Sequence, residues 1–138
     1  MIIYKPTDRI ALKIGDIIVK VSPLTALQKA NLMSLTKLSA GREVADTSMM
    51  AIMTIKYCVK ELIGVQATFA DGTEFSLSYD PDGTLSEESL SSVMQILDNG
   101  ILTQVAAQLL TTGVQNIRVP GVEVESGAGV EVKKKSAS

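Results

Sequence analysis

The stretch IALKIGDIIVKV, residues 10–21, decides the fold class of this chain. Apolar residues alternate with polar or small ones on both sides of Gly15-Asp16, a pattern typical of two strands joined by a two-residue turn. The register that such a turn imposes pairs apolar residues with each other: Ile14 with Ile17, Leu12 with Val19, and Ile10 with Val21. Asp8 to Val21 is therefore predicted to be a β-hairpin with one apolar face.

Helical periodicity dominates most of the chain between this hairpin and residue 110. Apolar residues recur there at the spacing of one helix face, with capping residues in front and glycine behind. Four helices are predicted: from the N-cap Thr25 to about Leu38, from Thr47 to Leu62, from the capping pair Thr84 and Glu87 to Leu97, and from Ile101 to Leu110. Ser39-Ala40-Gly41 is expected to end the first helix, and Asn99-Gly100 the third.

A second hairpin is predicted between the helices, from Val65 to Asp80. A two-residue Asp71-Gly72 turn would put the apolar residues of its two strands on opposite faces. A three-residue loop, residues 70–72 with Gly72 in a left-handed conformation, pairs Ala67 with Phe75 and restores one apolar face, so we favour the longer loop. Residues 80–83, which read DPDG, are interpreted as a turn.

The last part of the chain differs in composition, because Gly, Val, Glu, Lys and Ser dominate from Gly113 onward. The tetrapeptide GVEV occurs twice there, at residues 121–124 and 129–132. We therefore predict a single α+β domain over residues 1–113, a small bundle of about four helices with two β-hairpins. Residues 114–138 are predicted to be a flexible tail, with or without a strand that forms only against a partner. Truncation after Thr112 is expected to leave a folded domain.

The composition argues against several classes of function. The chain has 138 residues, 46% of them hydrophobic, which suits one domain with one core. No apolar segment approaches the ~20 residues that a bilayer span needs, and the first residues lack a secretory signal, so we expect a cytoplasmic protein without a membrane partner. A net charge of −2, with 4% aromatic residues and no Trp, also disfavours binding to nucleic acid.

Catalytic and metal-binding patterns are missing as well. The chain has no histidine, which removes the commonest general base and metal ligand. Cys58 is the single cysteine, cannot form an internal disulfide, and lies on the apolar face of a predicted helix, so we interpret it as a core residue. Asp80 and Asp82 lack the further ligands of a calcium loop. No catalytic residue, cofactor or metal is predicted, and the protein is expected not to be an enzyme.

One group of residues is a candidate protein-binding site. In the predicted helix from Thr47 to Leu62, the core face is formed by Ala51, Ile52, Ile55, Cys58, Val59 and Leu62. A second apolar face carries Met49, Met50, Met53 and Tyr57. Because thioether side chains adapt to irregular partners, this face is a candidate surface for a hydrophobic partner or another copy of the chain. Packing within the same chain is the alternative interpretation.

Four stretches resemble one known family. They read IALKIGDIIVKVSPLT (residues 10–25), KYCVKELIGV (56–65), DGTEFSL (71–77) and LSEESLSSVM (85–94). Their order is similar to that in the tail assembly chaperones of long-tailed, siphovirus-like bacteriophages, and the likeness covers about residues 9–110.

The resemblance implies a protein of the host cytoplasm that binds the aggregation-prone tape measure protein and keeps it soluble. It also implies that the protein recruits tail tube subunits, associates with itself and requires no nucleotide. Such chaperones often have a longer form made by ribosomal frameshifting, and the codons of Lys133–Lys135 are a candidate slippery site. The alternative interpretation is that these three lysines only make the end of the chain more soluble. A minor structural protein of the virion, in the tail or in head completion, is the alternative function.

Overall fold

The computed structural model describes residues 3–39, 42–45 and 47–125, and it has the α+β architecture that the sequence predicts. The strands are β1 (Ile10–Ile14), β2 (Ile17–Val21), β3 (Thr36–Ser39), β4 (Arg42–Ala45), β5 (Val59–Ile63) and β6 (Val122–Val124). The helices are α1 (Ala26–Met33), α2 (Thr47–Cys58), α3 (Glu87–Ile96) and α4 (Asn99–Thr111), followed by a 3-10 turn at Val114–Asn116.

The main sheet has four antiparallel strands in the order β5-β2-β1-β6. In its central pair Ile14 lies opposite Ile17, Leu12 opposite Val19 and Ile10 opposite Val21, the register that a two-residue turn predicts. Leu12 and Val21 are almost completely buried, at 0% and 1% exposure, because this face of the sheet carries the core. Helices α2, α3 and α4 supply residues to the same core.

The first helix is shorter than predicted. Thr25 is its N-cap, as expected: the Thr25 hydroxyl accepts a hydrogen bond from the Gln28 amide at 3.1 Å, and the Gln28 side chain accepts one from the Thr25 amide. The helix ends at Met33 instead of near Leu38, because the backbone of residues 36–39 pairs with residues 42–45 in a separate two-stranded sheet. Local periodicity could not reveal this, since the pairing satisfies the same backbone groups as a helix would.

The second helix is also shorter than predicted, and the prediction that it reaches Leu62 is wrong. It ends at Cys58, and the chain continues directly into β5, which pairs with β2. The Cys58 carbonyl accepts a hydrogen bond from the Ser22 amide at 2.9 Å, which ties the junction to the end of β2. Val59 remains a core residue at 1% exposure, although it lies on a strand and not on a helix.

Residues 64–86 form an irregular connection, where the sequence predicts a second hairpin. The register is that of the three-residue loop, because the Phe75 amide donates to the Ala67 carbonyl at 3.0 Å and Thr68 lies opposite Glu74. Gly72 has φ +92°, the positive value expected for that position. Within these residues, however, a single isolated bridge joins the two arms, so the predicted strands are not continuous.

Helices α3 and α4 differ from the prediction at their ends. The N-cap of α3 is Ser86, whose hydroxyl accepts from the Ser89 amide, and not Thr84, whose hydroxyl donates to Asp82. Asn99-Gly100 does not end α3 but forms the first turn of α4, which Asp98 caps. Asp98, one residue earlier, is a strong N-cap, and its effect in starting α4 outweighs the tendency of Asn-Gly to end a helix.

The predicted boundary after residue 113 is not where the fold ends. Val114, Ile117 and Val119 belong to the core, with exposures of 2%, 6% and 5%. The segment then enters β6, which pairs with β1. Residues 114–125 are therefore part of the domain, and the remainder of the predicted tail, residues 126–138, lies outside the described residues.

Candidate functional site

Helix α2 lies between other elements over most of its length. From Met50 onward every residue of the helix is at least half-buried, and Thr54, Ile55 and Cys58 are buried. Thr54 is a polar position in the sequence pattern, yet it is 0% exposed. Burial is tolerated because its hydroxyl donates to the Met50 carbonyl at 2.6 Å, one turn earlier.

The predicted site residues lie on one side of α2. At 3.6 residues per turn, Met49, Met50, Met53 and Tyr57 fall within an arc of about 100°. Met49 is 44% exposed, whereas Met50, Met53 and Tyr57 are half-buried. The structure thus brings the four residues onto one face, and Met49 is the most exposed of them.

A cleft that the sequence did not reveal lies on the opposite side of α2. It has a volume of about 250 Å³ and opens between α2 and α4, close to the end of α3. Its apolar residues are Ala51, Ile52, Ile55, Met94 and Leu102, and its polar ones are Thr47, Ser48, Asn99 and Thr103. No charged residue lines this cleft, so an apolar segment could enter it without desolvating a charge.

The sequence pattern contained only a partial signal for this cleft. Ala51 and Ile52 fit the predicted core face of the helix. In the structure, however, they are only half-buried, and they line the cleft. Small residues such as Ala51 leave room between neighbouring helices. Finding the cleft required the pairing of α2 with α4, which helical periodicity does not encode.

Helix α1 exposes a second apolar stripe. The helical spacing of the leucines predicts that Leu27 and Leu32 both lie on or near the buried side of the first helix, and for Leu27 this is wrong. Leu27 is 78% exposed, and Leu32 is the buried residue of the helix. Met33, at 60% exposure, and the exposed Ala30 lie on the same side as Leu27, roughly opposite Leu32. Within the described residues, α1 therefore rests on the domain through one side and presents aliphatic side chains on the other.

Known proteins give no independent assignment of this site. The chain matched no protein-family model, no curated protein and no solved structure.

Two carboxylates of the connection between β5 and α3 stabilise turns. Asp82 accepts hydrogen bonds from the amide and hydroxyl of Thr84, at 3.0 and 2.7 Å, and these bonds lower the pKa of Asp82. Asp71 likewise accepts hydrogen bonds from the amide and hydroxyl of Thr73, and these bonds lower the pKa of Asp71. In the part of the chain that the structure describes, no three His, Cys, Asp or Glu side chains come together as metal ligands would. No helix in the same part is long and apolar enough to span a lipid bilayer.

A half-buried lysine of α2 anchors the same connection to this helix. The Lys56 ammonium donates to Asp80 at 2.8 Å and also to the Leu85 carbonyl. Nearby, the Tyr79 hydroxyl donates to the Lys60 carbonyl on β5. Burial lowers the pKa of Lys60 and raises that of Tyr79. These contacts hold residues 79–85 against α2 and against β5, the strand at one edge of the main sheet. The role of these side chains is therefore structural.

Cys58 is a core residue, as the sequence predicts. It is 0% exposed, and desolvation raises the pKa of its thiol to about 12, against a smaller opposing effect of the Lys60 charge. A thiol with so high a pKa is protonated at neutral pH and is a poor nucleophile.

The Cys58 thiol is therefore expected to resist alkylation in the folded protein. Incubation with iodoacetamide at pH 8 should leave the native chain unmodified, while the same reagent in denaturant should add one group per chain. Intact-mass spectrometry measures both. Rapid labelling of the native protein would show that the core around Cys58 opens readily and would contradict the packing described above.

Proposed function

We propose that this protein is a tail assembly chaperone of a long-tailed bacteriophage, which acts in the host cytoplasm by binding the tape measure protein and recruiting tail tube subunits. In this proposal it is not an enzyme, requires no cofactor or metal, and binds neither nucleic acid nor membrane. The resemblance of residues 9–110 to that family suggested the idea. The observation that carries its physical part is the uncharged cleft between α2 and α4.

The cleft suits an apolar segment of another polypeptide. Its aliphatic and thioether side chains offer dispersion contacts. Thr47, Asn99 and Thr103 also line the cleft and are exposed, so their hydroxyl and amide groups are available to hydrogen-bond with the backbone of a client. A volume of about 250 Å³ accommodates only a few side chains. Affinity at one cleft is then modest, which suits a chaperone that must release its client to the growing tail tube.

The apolar stripe of α1 and the methionine face of α2 extend the hydrophobic surface beyond the cleft. Leu27 and Met33 are exposed on α1, and Met49 is exposed on α2. Several weak contacts distributed over one molecule bind a long client more effectively than one contact alone. The same surfaces are candidates for the self-association that the family resemblance implies.

A charge introduced at the rim of the cleft should weaken client binding. Thr103 is exposed and lines the cleft, so Thr103→Glu places a carboxylate beside an apolar segment. The added desolvation cost of about 1–3 kcal/mol corresponds to a loss of affinity of roughly 5- to 160-fold. Gln104→Glu is the matched control, because Gln104 is an exposed neighbour on α4 that does not line the cleft.

The measurement is the soluble yield of the tape measure protein on co-expression with each variant. We expect the parent and Gln104→Glu to keep the client soluble and Thr103→Glu to lose most of this effect, with unchanged melting temperatures for all three. Equal solubilisation by both variants would exclude the cleft as the client site. Failure of the parent to solubilise the client, together with its stoichiometric presence in purified particles, would favour a structural virion protein.

The methionine face has its own test. Changing Met49, Met50 and Met53 together to Ser is expected to weaken client binding if this face contacts the client. Because Met50 and Met53 are half-buried, the triple variant also loses packing, so its melting temperature must be compared with that of the parent. An unchanged soluble yield from a folded triple variant would exclude the methionine face.

A further inference from the structure

Among residues 3–39, 42–45 and 47–125, the main sheet ends at β6, which is hydrogen-bonded to β1 on one side. The Glu125 amide donates to the Ala11 carbonyl at 2.8 Å, so this pair of residues is of the hydrogen-bonded kind. Hydrogen-bonded and non-hydrogen-bonded pairs alternate along an antiparallel ladder. The backbone groups of Glu123 therefore also face β1, while those of Val124 point away from it.

The open part of this edge, among the described residues, lies at Val124. The outward amide of Val122 already donates to the Val119 carbonyl at 3.0 Å, in the turn that contains Gly121 at φ +86°, so an added strand would pair with the amide and carbonyl of Val124 and with the carbonyl of Val122. The Val124 side chain is 45% exposed although its register partner, Leu12, is 0% exposed. An apolar side chain and outward backbone groups at a sheet edge are the features that another strand would cover.

The chain contains a second copy of the sequence that forms this edge. Gly121-Val-Glu-Val is the turn glycine followed by β6, and residues 129–132 repeat it letter for letter. We propose that residues 130–132 of the same chain pair with β6 as a further antiparallel strand. Strand β6 ends at Val124, so the repeat begins only a few residues beyond the edge it would cover.

The length of the connection selects the register. With residues 125–129, ESGAG, as a five-residue loop, Val130 lies opposite Val124 and Val132 opposite Val122. The outward backbone groups of Val124 then pair with those of Val130, and the added valines cover the exposed Val124 side chain. Two glycines in the loop permit the positive φ angles that such connections require.

Charges on the other face of the sheet are compatible with this register. Glu131 comes opposite Glu123, which by itself is unfavourable. Glu123, however, already lies beside Lys13 of β1, and Lys133 of the added strand is its diagonal neighbour. A register displaced by one residue would instead place Glu131 opposite Val124 and expose both valines of the repeat on the charged face.

The added strand closes the sheet against strands of other molecules. An edge with outward backbone groups and an exposed valine is a template for pairing with another chain, and a strand supplied by the chain itself removes that template. This inference does not depend on the proposed function, because it concerns only the sheet and the sequence that follows it.

Amide exchange at Val124 in the full-length protein tests the proposal. We expect its amide to be protected in the parent and to exchange about tenfold faster in Val130→Pro, which loses one ladder donor and cannot hold the strand. Ser136→Pro, outside the repeat, should leave the rate unchanged. The same rate in the parent and in Val130→Pro would overturn the proposal.

A cysteine pair distinguishes pairing within one chain from pairing between chains. In the proposed register, Val124→Cys with Val130→Cys places two thiols at a separation that a disulfide spans, whereas Val124→Cys with Glu131→Cys places them on opposite faces. Cys58 is buried and can stay in place. Faster oxidation of the first pair to a monomeric product is expected. Equal rates for both pairs, or a disulfide-linked dimer as the main product, would overturn the proposal.

Discussion

Truncation after Thr112 is expected to abolish the cooperative unfolding of the domain or to lower its melting temperature by at least about 10 °C. The cut removes Val114, Ile117 and Val119, each at most 6% exposed, and with them β6. Burial of three such side chains contributes roughly 5–8 kcal/mol before the entropy of ordering the segment is subtracted. That amount is comparable with the ~5–15 kcal/mol that stabilises a typical domain.

The matched control is truncation after Glu125, which retains every residue of the described core. Circular dichroism melting curves of the two truncated chains and the parent make the comparison. We expect the chain that ends at Glu125 to melt within a few degrees of the parent. The chain that ends at Thr112 should melt far below the parent or show no transition. A shorter chain that melts like the parent would show that residues 113–125 add nothing to stability, as the sequence alone suggested.

Leu85→Ala is expected to destabilise the protein by about 2–5 kcal/mol. Leu85 is 0% exposed, although it lies in an irregular segment immediately before α3. Its amide donates to the Lys56 carbonyl at 3.1 Å, and its carbonyl accepts from the Lys56 ammonium, so its side chain is held in place within the core. Surrounding residues cannot close the resulting cavity without breaking these contacts.

The same chemical change at an exposed position provides the control. Leu27→Ala removes the same atoms from a side chain that is 78% exposed and should change stability by less than about 0.5 kcal/mol. Urea unfolding curves of the two variants and the parent measure both values. Equal losses at the two positions would mean that Leu85 is not a core residue in solution.

The sequence by itself determined the features that depend on neighbouring residues. The register of β1 and β2 follows from the alternation around Gly15-Asp16, because a shift by one residue would move every valine and isoleucine to the other face. The cap at Thr25 and the positive φ of Gly72 are local in the same sense. In each case, residues within a few positions supply the decisive interaction.

Tertiary structure decided where elements end and which faces are exposed. The predicted helices extend through residues 36–38 and 59–62, yet both segments pair with partner strands, because a ladder satisfies the same backbone groups as a helix. Leu27 and Leu32 are alike in sequence, and only the position of α2 makes one exposed and the other buried. The cleft beside α2 and the core contacts of residues 114–119 exist only once distant segments meet, because neither surface has its partner within the same stretch of chain.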